Sequence, residues 1–265
     1  MIEGHSGCEI SVRGAILEKS SAGRYPIDRL QKQSEKQIAF SKGCFEGVLV
    51  PEIYSTKKIN NNFIIEMEYL SCLNAIQYLN RAGKEQLDVL ANTLFKFIKN
   101  NVTNSETIRV DGSVVSKKFE SVKKTSRINN LDHIFEKYYT DELELPVGLC
   151  HGDLTLSNIL FSQDSNEIVL IDFLDSFIES PIVDIAKIRQ DTRHKWSTFI
   201  HTERHDKNKI EISLEYLDEK LNSMLSTFSF YKYYKLFQFM NLIRILPYSR
   251  NQKTTDYLMR EICSI

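Results

Sequence analysis

Short runs of branched apolar residues fill the first 70 positions, and longer stretches with helical spacing follow them. Residues 9–20, EISVRGAILEKS, read as a β-hairpin turning near Gly14, with Lys19 on its second strand. Residues 27–42 place Ile27, Leu30, Ser34, Ile38 and Ser41 along one helical face, with Gly43 as a stop signal and Glu35 inside the helix. Residues 48–53 and 63–69 read as further strands, the second being FIIEMEY and running into Leu70-Ser71-Cys72-Leu73. Beyond them the period changes. Residues 85–100 align Leu87, Leu90, Leu94 and Ile98, and residues 210–225 repeat leucine at 214, 217, 221 and 225. Residues 230–246 continue as a helix within an aromatic-rich stripe, from Phe228 to Phe239, that suits the core of a helical lobe better than a ligand cage.

A chain of 265 residues can bury a sizeable core as one large domain or two lobes. Its net charge of −1, with 26% charged residues, sets up no strong field toward nucleic acid or an anionic membrane. Five scattered cysteines include no C-x-x-C pair and read as reduced thiols in a cytosol. Residues 1–25 hold no long apolar run and no later segment reaches a membrane-spanning length, so a cytoplasmic protein without membrane insertion is expected. Oligomeric state is left open.

The chemistry concentrates in residues 149–175, LCHGDLTLSNILFSQDSNEIVLIDFLD. Phosphoryl transfer from ATP needs a carboxylate to accept the hydroxyl proton, then a carbonyl oxygen and a second carboxylate to hold magnesium against the phosphates. Asp153, Asn158 and Asp172 suit those roles in that order, and His151-x-Asp153-xxxx-Asn158 keeps the interval of the kinase catalytic loop. Residues 158–161 and 168–171 read as two strands joined at the turn Gln163-Asp164-Ser165-Asn166, a hairpin with both metal-ligand candidates at its margin. The plainer alternative makes Asp153 and Asn158 loop caps, Asp172 a turn residue and His151 a buried histidine. Upstream, Lys19 on a strand and Glu35 on the next helix would form the ion pair that holds a lysine against nucleotide phosphates. Gly4-His5-Ser6-Gly7 reads as a phosphate-covering turn, with Ser6 and Gly7 nearest the first strand, or as an ordinary loop. Backbone groups of Glu68, Tyr69 and Leu70 occupy the place of a hinge for the adenine edge, although FIIEMEY would be a sheet strand in any case.

Together these pieces resemble the aminoglycoside phosphotransferase and choline kinase superfamily, through HGDLTLSNILF, VLIDFLDS and the later Pro181-Ile182-Val183-Asp184-Ile185-Ala186. The resemblance implies an α+β, two-lobed protein-kinase-like fold. A small antiparallel-sheet lobe with one helix, residues 1–70, and a larger helical lobe, residues 71–265, would bind ATP between them. It further implies that Asp153 is the base, that Asn158 and Asp172 bind Mg²⁺, that Asp184 braces the catalytic loop and that His151 supports it through hydrogen bonds. Asp172-Phe173 lacks the glycine of the Asp-Phe-Gly signature and no Ala-Pro-Glu element follows, so the short run 175–191 offers no platform for a peptide. A small-molecule hydroxyl acceptor is therefore expected: a sugar, amino alcohol, glycan precursor or antibiotic. Asp175 reads equally as a further metal or substrate contact and as a turn residue. Residues 191–208, with Arg193, His194 and Trp196, suit either an anionic or sugar-like acceptor or a solvated loop. That segment holds no acidic run to meet a polycationic antibiotic. The residues leave ATP and GTP both open as donors, and a nucleotide-binding pseudokinase with a regulatory role is the alternative to an enzyme.

Overall fold

The computed structural model describes residues 2–3, 8–21, 26–126, 130–200 and 205–265. The chain begins with β1 (Ile2–Glu3), β2 (Glu9–Arg13), β3 (Ile16–Ser20), helix α1 (Ile27–Ser41), β4 (Val48–Leu49), β5 (Ile53–Ile59), β6 (Asn62–Glu68), β7 (Cys72–Leu73) and α2 (Ala75–Leu79). It continues through α3 (Lys84–Thr103), β8 (Glu106–Asp111), α4 (Gly112–Ser126), α5 (Asp132–Tyr138), β9 (Glu142–Val147), β10 (Ile159–Ser162) and β11 (Ile168–Leu170). Helices α6 (Pro181–Thr192), α7 (Trp196–Ile200), α8 (Lys207–Leu225), α9 (Tyr234–Ile245) and α10 (Gln252–Cys263) complete it. Two compact units result, one of Met1–Tyr78 with Ser157–Asp175, the other of Leu79–Leu156 with Ser176–Ile265. The expected division at residue 70 assigned 157–175 to the helical part. Those residues instead join the first unit, because β10 pairs with β7 and β11 pairs with β4.

In the first unit, period-two burial on β6 decides the main sheet: Phe63, Ile65 and Met67 are buried while Ile64, Glu66 and Glu68 are only partly covered. The five strands run in the order β1-β2-β3-β6-β5, all antiparallel. Gly14 turns β2 into β3 at φ 63°, a conformation that a residue with a Cβ rarely adopts. Leu30 of α1 joins Cys8, Phe63, Ile65 and Met67 in a small core that Leu17, Ile27 and Ile53 border. Full burial of Leu30 stabilises the unit by about 1.5–3 kcal/mol. A second sheet of order β4-β11-β10-β7 carries the catalytic-type hairpin. Residues 48–53, read as one strand, are divided: β4 ends at Leu49, Pro51 interrupts, and Ile53 opens β5. The latter, IYSTKKI, is an edge strand whose polar outer positions mask its alternation.

The second unit is mainly helical. Leu214, Leu217, Leu221 and Leu225 of α8 are completely buried, as are Leu94 and Ile98 of α3. Phe230, Tyr234, Phe237 and Phe239 are core residues, as their spacing suggested, although a 3₁₀ turn over Ser229–Tyr233 precedes α9. Gly112 opens α4 where a Cβ would stand 2.2 Å from the Thr140 carbonyl oxygen, so only glycine fits beside the β8/β9 hairpin. Helix α6 is buried along its entire length, Asp184, Lys187, Arg189, Gln190 and Asp191 included. Each buried polar group therefore needs a partner. Arg189 finds its own in Asp218, with Nε and Nη2 donating to the two carboxylate oxygens at 2.9 and 2.8 Å and the guanidinium 4.7 Å over the Tyr234 ring. Among the described residues no helix is long and apolar enough to cross a membrane.

Candidate active site

The β10/β11 hairpin brings two oxygen-bearing side chains to one end. Ile159 stands opposite Leu170, and the Ile171 N–H donates to the Asn158 carbonyl at 3.1 Å. Asn158 thus lies across from the residue that immediately precedes Asp172. Asp172 takes φ 61°, a left-handed conformation that costs energy for a residue with a side chain and collects at functional sites. Phe173, wholly buried and 4.8 Å from the Phe40 ring, anchors the next position, while Lys19 Nζ holds the Asp172 carboxylate at 2.6 Å. An amide oxygen and a carboxylate are hard donors that suit Mg²⁺, an ion that keeps several of its positions for water and phosphate. The residues present fit that ion.

Lys19 also donates to Gln33 Oε1 at 3.2 Å. The expected Lys19–Glu35 pair is absent: Glu35 is exposed and accepts instead from Gln31 Nε2 at 2.9 Å. Helix phase explains the exchange. Leu30, Gln33, Gln37 and Phe40 share the buried face of α1, and Glu35 stands about 200° around the axis from Gln33. Following Leu30 by steps of three and four would have reached Gln33. We expect Gln33→Leu to raise KM for ATP at least about tenfold, the worth of one hydrogen bond to a charged group, and Glu35→Ala to change it less than about twofold. Steady-state kinetics with ATP varied reads both; equal effects would restore Glu35 to the nucleotide site.

Helix α1 grips the segment after Asp172 at two further points. Lys36 Nζ donates to the Leu174 carbonyl at 2.6 Å, and Lys32 pairs with Asp175 at 3.0 Å on the surface. Asp175 is thereby held by a lysine and faces solvent. Of the backbone expected to meet adenine, the Glu68 and Tyr69 N–H groups are bonded to the Glu52 and Ala15 carbonyls at 2.8 and 2.9 Å. Leu70 is the one of the three whose N–H has no partner among the described residues. Ser6 and Gly7 lie outside the described residues.

The second unit holds Asp153. Asp184, completely buried in the first turn of α6, accepts the His151 N–H at 2.7 Å and the Gly152 N–H at 2.8 Å, and the Asp153 N–H donates to His151 Nδ1 at 3.2 Å. Gly152 turns the loop at φ 82°. Lys187, three residues beyond Asp184, places Nζ 2.6 Å from Asp153 Oδ1. Burial works to raise the Asp153 carboxyl, but the charges of Lys187 and Arg244 outweigh it and hold the group at about 2. Burial and Arg244 together bring Lys187 down to about 8 against the pull of Asp153 and Asp184. Asp191 accepts the N–H groups of Leu156 and Ser197 at 2.7 and 2.9 Å, yet burial pushes it up to about 7. Sequence reasoning passed over Lys187; its signal is a lone lysine one turn after Asp184 in the otherwise apolar run IVDIAKI. His194 and Trp196 are buried, the imidazole held between Glu261, at 2.7 Å, and Gln238, so neither is offered to an acceptor, whereas Arg193 is exposed.

No curated protein matches this sequence. Among solved structures, an aminoglycoside phosphotransferase, APH(2")-IIia in complex with GDP and kanamycin, superposes with a TM-score of 0.62 at 13% identity, covering 100% of this chain and 91% of that one. An aminoglycoside-3'-phosphotransferase of type VIII gives 0.54 at 16% identity, with coverage of 89% and 93%. APH(3'')-Id from Streptomyces rimosus gives 0.52 at 16% identity, with coverage of 89% and 94%. At such identities the likeness is one of fold, and it bears out the expected α+β, kinase-like architecture. A family model described as choline/ethanolamine kinase matches residues 36–222, a span that contains Asp153, Asn158, Asp172 and Asp184. With well over half its length matched in this way, the chain belongs to the choline/ethanolamine kinase family and is a small-molecule kinase.

Proposed function

We propose that the protein transfers the γ-phosphoryl group of ATP, bound with Mg²⁺, to a hydroxyl of a small molecule. The observation that carries this reading is the arrival of Asn158 and Asp172 at one end of a single hairpin, with Lys19 already on the Asp172 carboxylate. Magnesium bound there would supply positive charge to neutralise the phosphates of the nucleotide. Asn158 and Asp172 would hold it, Lys19 would turn to the α- and β-phosphates, and Gln33 would keep Lys19 extended. Asp153 accepts the hydroxyl proton and Lys187 fixes the carboxylate that does so. Alignment and charge neutralisation supply most of the rate, since the transfer leaves little covalent work to the protein. Dependence on ATP would place the reaction in the cytoplasm.

The test is incubation of purified protein with Mg²⁺ and either ATP or GTP across a panel of hydroxyl compounds, following nucleoside diphosphate release and a mass gain of one phosphate in the acceptor. Failure to release diphosphate with every acceptor, together with no Mg²⁺-dependent nucleotide binding, would end the reading. The rate should also depend on pH through Lys187. Its folded-state value of about 8 means that the ammonium is present at neutral pH and is lost as pH rises through 8, removing a charge-assisted bond from Asp153. We expect kcat/KM to fall about tenfold across that limb. Lys187→Arg, which cannot lose its charge in this range, should flatten it. Asp153 itself stays ionised down to about 2 and imposes no acidic limb near neutrality.

A further inference from the structure

We propose that the acceptor is an anion, a hydroxyl compound bearing a carboxylate or phosphate that Lys118 and Arg244 hold while its hydroxyl meets Asp153. The inference rests on the kinase reading and adds the charge class of the acceptor. Helices α4, α6 and α9 each contribute a cation: Lys118, Lys187 and Arg244. Lys187 is committed to Asp153 at 2.6 Å. The other two are not committed. Among the described residues neither Lys118 nor Arg244 has a carboxylate within ion-pairing reach, although both are half-buried.

Arg244 is fixed by amides rather than acids. Its Nε donates to Asn241 Oδ1 at 3.2 Å and its Nη2 to Gln190 Oε1 at 3.4 Å, while Asn241 Nδ2 donates to Gln190 Oε1 at 2.9 Å. Gln190 follows Lys187 by one turn, so this amide chain sets the guanidinium against the part of α6 that presents Lys187 to Asp153. Lys118 Nζ lies 5.8 Å from the Phe177 ring centroid, and Phe177 stacks on Phe237 at 5.8 Å. Phe237 precedes Arg244 by two turns on the same side of α9. Lys118, beside an aromatic wall, therefore lies within electrostatic reach of Arg244, and Arg244 within that of the proposed base, with neither cation paired to a carboxylate among the described residues. Burial and the nearby Arg244 both lower the Lys118 pKa, and the charge of Arg244 reaches Lys187 and Asp153 as well, which places all four groups in one electrostatic neighbourhood.

Half-buried cations without partners cost stability, and an anionic ligand would relieve that cost. A quaternary ammonium or polyamine acceptor would meet like charge in the same place. In the step itself the acceptor oxygen bonds to the γ-phosphorus as the bond from that phosphorus to the bridging oxygen of the diphosphate breaks. The hydroxyl proton passes to the Asp153 carboxylate and from there to solvent.

Two measurements on the purified full chain test the inference. In the first, sulfate is titrated into protein saturated with Mg·ADP and thermal unfolding is followed against sodium chloride of equal ionic strength. Wild type should gain Tm with sulfate, and Lys118→Gln and Arg244→Gln should lose that gain while Arg244→Lys keeps part of it. An equal gain in the Gln variants would overturn the inference. In the second, steady-state kinetics compares D-glycerate, glycerol 3-phosphate and glucuronate with glycerol, choline and kanamycin. Preference for the anions by tenfold or more, with acceptor KM raised in the Gln variants and KM for ATP within twofold of wild type, supports it. Transfer to choline or kanamycin at least as fast as to the anions overturns it while leaving the kinase reading intact, and so does a rise confined to KM for ATP, which would assign the cations to the donor. If no acceptor turns over, Mg²⁺-dependent nucleotide binding decides the kinase reading, and the sulfate titration decides the anion site alone.

Discussion

Asp153→Asn should lower kcat by about three orders of magnitude or more, the usual loss when a positioned proton acceptor is removed, with Mg·ATP affinity changed little. The substitution keeps the shape of the side chain and removes its charge, so a fall in rate reports chemistry rather than packing. It also leaves Lys187 beside a neutral amide. Breaking a buried pair from one side costs about 3–5 kcal/mol in a fully enclosed site, and less at this partly open one. Unfolding should therefore be measured alongside single-turnover kinetics and calorimetry with Mg·ATP. A folded Asp153→Asn protein that turns over within tenfold of wild type would remove Asp153 from its role.

Asp172→Ala should act on the other half of the reaction. Removing a direct metal ligand is expected to weaken Mg·ATP binding by at least about 100-fold, the upper end of what loss of a merely supporting residue costs a metal site. The Lys19–Asp172 contact gives the experiment a second reading. Without Asp172 the Lys19 ammonium keeps the neutral Gln33 as its hydrogen-bond partner among the described residues, so ATP in the presence of a chelator should bind as well as to wild type, or more tightly. Calorimetry with and without Mg²⁺ separates the two. A loss of equal size under both conditions would mean that Asp172 supports the fold and not the ion.

What could be read from the sequence was what depends on neighbours along the chain. Asp153, Asn158 and Asp172 fall within twenty residues of one another, and the turn at Gln163–Asn166 closes the hairpin that aligns the last two. Lys19 was placed on its strand for the same reason, since Gly14 and the alternation of residues 9–20 specify a hairpin locally. The partner of Lys19 was not readable, because it depends on the rotational phase of α1. The chosen face of Ile27, Leu30, Ser34, Ile38 and Ser41 is turned from the observed one, which buries Leu30, Gln33, Ser34, Lys36, Gln37 and Phe40 and leaves Ser41 exposed. Gln and Lys inside a helix look like solvent-facing residues until a buried partner, here Lys19 or the Leu174 carbonyl, is known. Lys187 was hidden in the same way within α6, and β5 was hidden by its polar outer edge. Long-range partners decide these positions, and no window along the chain contains them.

Helix α6 has a consequence for how such an enzyme can change. Its successive polar side chains each have a separate duty: Asp184 to the loop amides, Lys187 to Asp153, Arg189 to Asp218, Gln190 to Asn241, Asp191 to the amides of Leu156 and Ser197. These duties point in directions about 100° apart per residue, so the helix has no idle face along which substitutions could drift. Inserting one residue before Asp184 would turn every one of them away from its partner at once. Divergence in acceptor choice is left to α4, whose outer face is open, and to Arg244, one of the two residues of α9 that are not buried, where a single exchange at Lys118 or Arg244 would alter the proposed ligand's surroundings and leave the polar contacts of α6 in register.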